Sequence, residues 1–130
     1  MAMRLIIEPI VRAALLEDLG RAGDITTDAI VPEHAEIEAV IAARQPGIVA
    51  GLDAALLAFE LLDPGLRIET LRADGAQVVR GETVARIAGR ARPVLAAERT
   101  ALNILCRMSG VATATRTLAD AIAEIGRAHV

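Results

Sequence analysis

The amino-acid sequence predicts an α+β fold, in which helices lie against a small antiparallel or mixed sheet and a long helix ends the chain. Apolar and charged residues alternate from Ala35 to Ala43, which predicts a half-buried strand. Apolar or small residues recur at alternating spacings of three and four from Val94 to Ile125, which predicts one continuous helix. The overall order is helix, strands, helix, strands and long helix, and this order is typical of the α+β class.

The first predicted element is a helix with apolar residues at helical spacing from Ile7 to Leu19. Pro9 is placed near its start and Gly20 closes it, as proline and glycine commonly do. The acidic and threonine-rich residues that follow are expected to cap a short helical turn at residues 28–30, because Asp and Thr side chains accept hydrogen bonds from exposed backbone amides. Pro32 ends that turn.

The middle of the chain is predicted to alternate short strands with one helix. Turn residues separate the segments at Gln45-Pro46-Gly47, Asp63-Pro64-Gly65, Asp74-Gly75 and Gly81-Glu82. Apolar residues have a period of two in the strands and helical spacing in the helix. The predicted elements are strand 48–50, helix 52–62, strand 66–71 and strand 83–88, with turn signals on both sides of Val78-Val79.

The last element is predicted to run from Pro93, which suits a first helical position, to Ile125, just before Gly126. One stripe of this helix is apolar and is expected to pack on the core. A second stripe runs beside it through Leu95, Arg99, Leu102, Cys106, Ser109 and Thr113, and Arg99 is its only charge. This arginine either pairs with a nearby carboxylate, such as Glu98 or Asp63, or binds a carboxylate or phosphate of a ligand.

Composition excludes several classes of function. The 130 residues form one predicted domain, residues 1–130, with a net charge of −3, a single aromatic residue and no basic block, so we expect no nucleic-acid partner. The longest apolar run, Ala54 to Phe59, cannot span a membrane and no signal peptide is seen, so we expect a soluble, cytoplasmic protein. All 14 basic residues are arginine, which excludes Schiff-base, P-loop and cofactor-carrying lysines.

Other candidate sites are weaker. Glu17, Asp18 and Asp24 could contribute to a metal site, but no histidine lies near them and capping is the favoured interpretation. His34 is expected in an exposed loop, and His129 has no metal-type neighbours in the sequence. Ser109 has no histidine within helical reach, so we interpret it as a small residue that lets helices approach. We therefore predict no catalytic residue and no metal ligand in this chain.

Several short motifs, taken together and in order, resemble the amino-terminal signature of the quinolinate phosphoribosyltransferases, also called carboxylating nicotinate-nucleotide pyrophosphorylases. The resemblance spans nearly the whole chain. The motifs are Glu17-Asp18-Leu19-Gly20, Gly23-Asp24-Ile25-Thr26-Thr27, Gly47-Ile48-Val49-Ala50-Gly51, Leu62-Asp63-Pro64, Asp74-Gly75 through Gly81, Glu98-Arg99-Thr100-Ala101-Leu102-Asn103 and Ser109-Gly110-Val111-Ala112-Thr113.

This resemblance implies an α/β-hammerhead-like sandwich that precedes an α/β barrel, and we expect that catalytic barrel to be missing from this chain. The implied enzyme is a glycosyltransferase that converts quinolinate and phosphoribosyl pyrophosphate to nicotinate mononucleotide, pyrophosphate and carbon dioxide in NAD biosynthesis. It implies a homodimer in which Arg99 binds a quinolinate carboxylate in the neighbouring subunit. Mg²⁺ would be bound mainly through the absent barrel and phosphoribosyl pyrophosphate, and the 130-residue chain alone would be inactive.

Two alternatives stay open on the sequence. The chain could be a non-catalytic association module, since its long apolar stripe has no obvious cover. It could also belong to a related phosphoribosyltransferase that uses another substrate, because most specificity residues would lie in the barrel.

Overall fold

A computed structural model describes residues 2–20 and 31–128 of the chain, with side chains described for residues 4–20 and 31–116. It confirms the α+β class. Residues 28–30, predicted as a short turn, and His129 lie outside the described residues. The elements are α1 (Ala2–Gly20), β1 (Glu36–Ala42), β2 (Gly47–Ile48), α2 (Leu52–Leu62), β3 (Arg67–Thr70), β4 (Gln77–Val78), β5 (Thr83–Arg90) and α3 (Ala91–Ala128).

The main sheet has three antiparallel strands in the order β1-β5-β3. Ile41 of β1 is buried, whereas Glu36 and Glu38 are exposed, so the predicted half-buried strand is confirmed. Ala85 and Ile87 of the central strand β5 are completely buried because they face the core cluster, whereas Arg86 between them is exposed on the other face of the sheet. A separate two-stranded antiparallel ribbon pairs β2 with β4. The sheet order therefore joins segments that are distant in sequence.

Helix α2 lies at the centre of the molecule. Seven of its residues are buried: Leu52, Ala54, Ala55, Leu56, Leu57, Ala58 and Phe59. Helices α1 and α3 pack against it and contribute Val11 and Leu15, and Val94, Ala97, Ala101 and Leu105, to the same core cluster. A helix buried on most of its surface needs apolar residues all round, and the apolar run from Ala54 to Phe59 supplies them.

Two predicted helix boundaries are wrong. Helix α1 begins at Ala2, so Pro9 lies inside it rather than near its start. Helix α3 begins at Ala91, directly after β5, and continues past Gly126 to Ala128. Proline and glycine are enriched at helix ends only statistically, so neither residue alone fixes a boundary.

The apolar stripe of α3 is confirmed from Val94 to Ala101, and its predicted positions from residue 118 onward lie outside the described side chains. Val94, Ala97 and Ala101 are buried, but the next buried position is Leu105, and Met108 and Val111 are 47% and 64% exposed. An alternating three-and-four spacing averages 3.5 residues per turn, whereas an α-helix has 3.6, so a straight helix rotates such a stripe away from a fixed neighbour. In the described part of the chain, no helix combines the length and apolar character needed to cross a membrane.

Candidate functional site

Helix α3 is joined by hydroxyl groups to β2 and to the segment between β2 and α2. Ser109 Oγ donates to the carbonyl of Ala50 at 3.1 Å and accepts from the amide of the same residue at 3.0 Å. Thr113 Oγ1 accepts from the amide of Ile48 at 2.9 Å. We call this contact the helix–loop seam, formed by residues 47–51 with Ser109 and Thr113. The interpretation of Ser109 as a spacer between helices was wrong, because its hydroxyl satisfies backbone groups of a non-helical segment.

Two glycines allow the seam to close. A Cβ on Gly47 would lie 2.8 Å from Thr113 Oγ1, and one on Gly51 would lie 2.5 Å from Met108 Sδ. Gly51 also has a φ of +80°, a conformation that costs glycine little and other residues more. The Gly47 to Gly51 motif of the sequence therefore serves close approach of α3.

Beyond the seam, toward the start of α3, a shallow depression that is largely open to solvent lies on the surface; we call it the Arg99 hollow. It is lined by Leu95, Glu98, Arg99, Leu102 and Asn103. All five residues belong to helix α3. Its open side faces solvent, which leaves room for a ligand or for another chain.

Arg99 is exposed, and it forms no hydrogen bond or ion pair with another residue in the described ranges. Asp63, one of its two predicted partners, forms an ion pair with Arg90 instead, with 3.5 Å between Asp63 Oδ2 and Arg90 Nε. Pairing with Asp63 is therefore wrong, and no described pairing involves Glu98. A guanidinium has a fixed fork of donors suited to carboxylate and phosphate, so Arg99 presents an anion-binding group to whatever fills the hollow.

A second hollow, of about 350 Å³, lies between α1 and α3 and shares Asn103 with the first. The buried hydroxyl of Thr100, 1% exposed, donates to Asp18 Oδ2 across it. This bond fixes the end of α1 against α3. The same bond engages the carboxylate of Asp18, which the sequence offered as a candidate metal ligand.

The described residues contain no group of three or more His, Cys, Asp or Glu side chains arranged to hold a metal ion. Asp24, the third acidic candidate, lies outside the described ranges. His34 is exposed in the loop before β1, as predicted, and Cys106 is exposed on α3.

Sequence reasoning missed the role of Asp74, which it used only as a turn signal. Its Oδ1 accepts from the amide of Leu52 at 2.7 Å, and its Oδ2 from the amide of Asp53 at 3.4 Å. Asp74 thus caps the amino terminus of α2 from a distant loop, while the local cap position, Gly51, has no side chain to do so. This contact fixes the start of α2, which directly follows the residues 47–51 that α3 contacts in the helix–loop seam.

Glu82 closes the turn before β5. Its carboxylate accepts from the amide of Val79 and from Arg72 Nε, both at 2.9 Å. The backbone hydrogen bond from Val79 is the main cause that lowers the pKa of Glu82 below its ordinary value, and the hydrogen bond from Arg72 adds to it. The group is structural, since it lies at a turn and lines neither hollow.

A protein-family model described as "Quinolinate phosphoribosyl transferase, N-terminal domain" matches residues 24–109. A chloroplastic nicotinate-nucleotide pyrophosphorylase [carboxylating] from Arabidopsis thaliana is 42% identical over 115 residues, which is 88% of this chain and 33% of that protein. The Mycobacterium leprae protein of the same activity name is 40% identical over 114 residues, covering 86% of this chain and 40% of that protein.

Among solved structures, nicotinate-nucleotide pyrophosphorylase from Francisella tularensis superposes with a TM-score of 0.83 at 33% identity, over 92% of this chain and 41% of that one. NadC from Streptococcus pyogenes superposes with a TM-score of 0.79 at 32% identity, over 85% and 39% of the two chains. The chain spans about a third of the length of the plant relatives that it matches.

Proposed function

The chain belongs to the family of quinolinate phosphoribosyltransferase amino-terminal domains, and on that premise we propose that it is the amino-terminal domain of an enzyme of NAD biosynthesis. The proposed reaction converts quinolinate and phosphoribosyl pyrophosphate to nicotinate mononucleotide, pyrophosphate and carbon dioxide. Relatives named for this activity support the proposal. Because the chain matches only about a third of the plant relatives, the proposed activity requires the region that they carry in addition.

The single observation that carries the proposal is Arg99. It presents a guanidinium in a surface hollow without an ion-pair partner among the described residues. A substrate with two carboxylates needs fixed cationic groups, and holding it in position lowers the entropic cost of reaching the transition state. We propose that Arg99 binds one quinolinate carboxylate in the active site of a neighbouring subunit, within a homodimer.

The role of Arg99 is positioning and electrostatic, not proton transfer, because arginine stays protonated in proteins. In the proposed reaction the pyridine nitrogen attacks the ribose C1 and pyrophosphate leaves with the bonding electrons. The 2-carboxylate then departs as carbon dioxide, and a proton takes its place on the ring. We propose that Mg²⁺ is bound mainly through phosphoribosyl pyrophosphate and the remainder of the enzyme.

Arg99→Ala tests the proposal in the intact enzyme, meaning this chain joined to the region that its full-length relatives carry in addition. Loss of a hydrogen-bonded charged pair costs roughly 1.5–3 kcal/mol, so kcat/KM for quinolinate should fall by about 10-fold to 100-fold. We expect an unchanged KM for phosphoribosyl pyrophosphate, because only the carboxylate contact is removed. Arg80→Ala, at an exposed arginine outside the Arg99 hollow, is the matched control. A normal quinolinate KM and kcat/KM in Arg99→Ala would refute the assignment.

A non-catalytic association module is the second candidate, and exposed apolar side chains on α1 favour it. Leu5, Ile10 and Leu16 are 77%, 65% and 67% exposed. Such side chains suit burial against another protein surface. The coding sequence beyond Val130 discriminates the two candidates: a continuation rich in βα repeats supports the enzyme, and a stop codon supports the module.

A cytoplasmic location stays a prediction. Several plant relatives are named as chloroplastic or mitochondrial, so members of this family occur in more than one compartment.

A further inference from the structure

Among the described side chains, Thr100 is the only polar one that is buried, and it is 1% exposed. Ala97 and Ala101, its neighbours on the buried face of α3, are completely buried and apolar. The Thr100 hydroxyl donates to Asp18 Oδ2 at the end of α1. Replacing both partners of such a bond by apolar groups of the same shape can be nearly neutral for stability. Packing of α3 on the core therefore does not by itself require a hydroxyl at position 100.

Asp18 is an unfavourable residue type for its place in α1. It lies in the last turn of a helix that ends at Gly20, and no basic residue accompanies it in that turn. The carboxyl end of a helix carries a partial negative charge, so a carboxylate near it is repelled. Both partners of the Asp18 to Thr100 hydrogen bond thus depart from what helix stability and core packing alone favour.

The hydrogen bond has a direction, which an apolar contact lacks. It weakens steeply when the angle at the hydrogen becomes too small, whereas apolar attraction is non-directional. A helix that is joined to its neighbour by a buried hydrogen bond therefore resists rotation about its own axis more than a helix held by alanine contacts. For α3, this restraint acts at Thr100.

Arg99 directly precedes Thr100 on α3. Successive residues of an α-helix are rotated by about 100° about its axis, so fixing the direction of Thr100 also fixes that of Arg99. At the outer radius of about 5–6 Å, a rotation of the helix by about 10° moves a side-chain group by roughly 1 Å. A misplacement of about 1 Å can cost about 100-fold in rate when it affects a group that positions the substrate.

We propose that the Asp18 to Thr100 hydrogen bond positions Arg99, because it fixes the rotation of α3 and so holds the guanidinium where the substrate carboxylate binds. Both residues line the hollow between α1 and α3, and neither lines the Arg99 hollow. Asp18 and Thr100 are therefore positioning residues that act through Arg99. This inference rests on the proposed function and names the contact between two helices on which that function depends.

Thr100→Val tests the inference in the intact enzyme, because valine keeps the shape of threonine and lacks its hydroxyl. It should lower kcat/KM for quinolinate by about threefold to tenfold, which is less than the effect of Arg99→Ala because the guanidinium is displaced and not removed. The KM for phosphoribosyl pyrophosphate should not change. Asp18→Ala should act like Thr100→Val, whereas Asp18→Asn should retain nearly the original kcat/KM, since its amide oxygen accepts the same hydrogen bond.

The Arg99→Ala background separates positioning from a general structural effect. Once the guanidinium is absent, Thr100→Val should lower kcat/KM for quinolinate no further, so the double variant should match Arg99→Ala alone. Asp18→Ala in the same background repeats the comparison at a half-buried residue, where substitution disturbs core packing less. Asp74→Ala is the control for lost stability: it removes a cap from α2, so it should lower the Tm and leave kcat/KM for quinolinate unchanged.

The outcomes separate this inference from the proposed function. Equal effects of Thr100→Val with and without Arg99 would overturn the inference, as would an unchanged kcat/KM for quinolinate in both Thr100→Val and Asp18→Ala. A loss in Asp18→Asn as large as that in Asp18→Ala would overturn it too. In each of these cases the proposed function still stands on the effect of Arg99→Ala. If Arg99→Ala itself leaves quinolinate kinetics unchanged, the proposed role of Arg99 fails and the inference fails with it.

Discussion

Replacing Ser109 with alanine tests whether the helix–loop seam stabilises the fold. The Ser109 hydroxyl is bonded to both the amide and the carbonyl of Ala50, at 3.0 Å and 3.1 Å. The substitution removes one oxygen and leaves two backbone groups without their partner. Because this one oxygen serves two backbone groups, the expected loss is larger than for an ordinary surface serine.

The magnitude follows from the two bonds. Each contributes about 0.5–1.5 kcal/mol net, so their sum is roughly 1–3 kcal/mol. Ala50 is only half-buried, and water replaces part of what is lost, so we expect a decrease of about 1–2 kcal/mol in the free energy of unfolding. For a domain of this size, that decrease lowers the Tm by roughly 4–8 °C.

The assay is thermal and urea unfolding of the chain, followed by circular dichroism. Thr115→Ala is the matched control, because it removes an exposed hydroxyl from the same helix and gains a similar helix propensity from alanine. We expect the Tm of the control to stay within about 2 °C of the original chain, as is usual for exposed positions. Equal Tm values for Ser109→Ala and Thr115→Ala would refute the reasoning.

Two further predictions concern side chains that satisfy backbone groups elsewhere. Asp74→Ala should lower the free energy of unfolding by about 0.5–2 kcal/mol, because the amide of Leu52 loses its cap; urea unfolding that matches the original chain would contradict this. Glu82→Gln should destabilise the turn near neutral pH. The pKa of Glu82 is lowered by folding, so its stabilisation is present above the ordinary value of 4.5 and is lost as the pH falls through the folded-state pKa. Tm values measured against pH should therefore converge in acid, and a difference that persists there would refute the charge-based account.

The sheet could be predicted from the sequence because its signals are local. Alternation in β1 places Ile41 inward and Glu38 outward, and the structure confirms both. The turn residues around β3 and β5 also fall between elements, as predicted. The antiparallel pairing of β5 with both β1 and β3 could be identified only from the structure, because sequence periodicity does not identify strand neighbours.

The contacts that could not be predicted join residues far apart in sequence. Asp74 caps a helix that begins 22 residues earlier, and Ser109 binds a backbone segment 59 residues away. Nothing in the local pattern around either residue names its partner, because a polar side chain near a turn or in a helix is compatible with solvent exposure. The sequence therefore predicted only the common local roles of these residue types, a small spacer for Ser109 and a turn residue for Asp74.

The candidate site could be predicted in part. Arg99 was distinguished as the only charge on a neutral stripe, and the structure shows it exposed beside a hollow. Asn103 carried no such signal, since a single amide on a helix is usually solvated. It lines the same hollow as Arg99, four residues further along α3.

The positions of the contacts along α3 explain how one helix can both close the fold and present the candidate site. Thr100 ties α3 to Asp18 of α1, and Ser109 and Thr113 tie it to the segment before α2. Asn103 lies between these two attachments, and Arg99 lies beside the first. A helix held at two points cannot roll about its axis without breaking buried or half-buried hydrogen bonds. The helix face that carries Arg99 is thus held by contacts on other faces of the same helix, and such fixing favours the proposed binding of a rigid dicarboxylate.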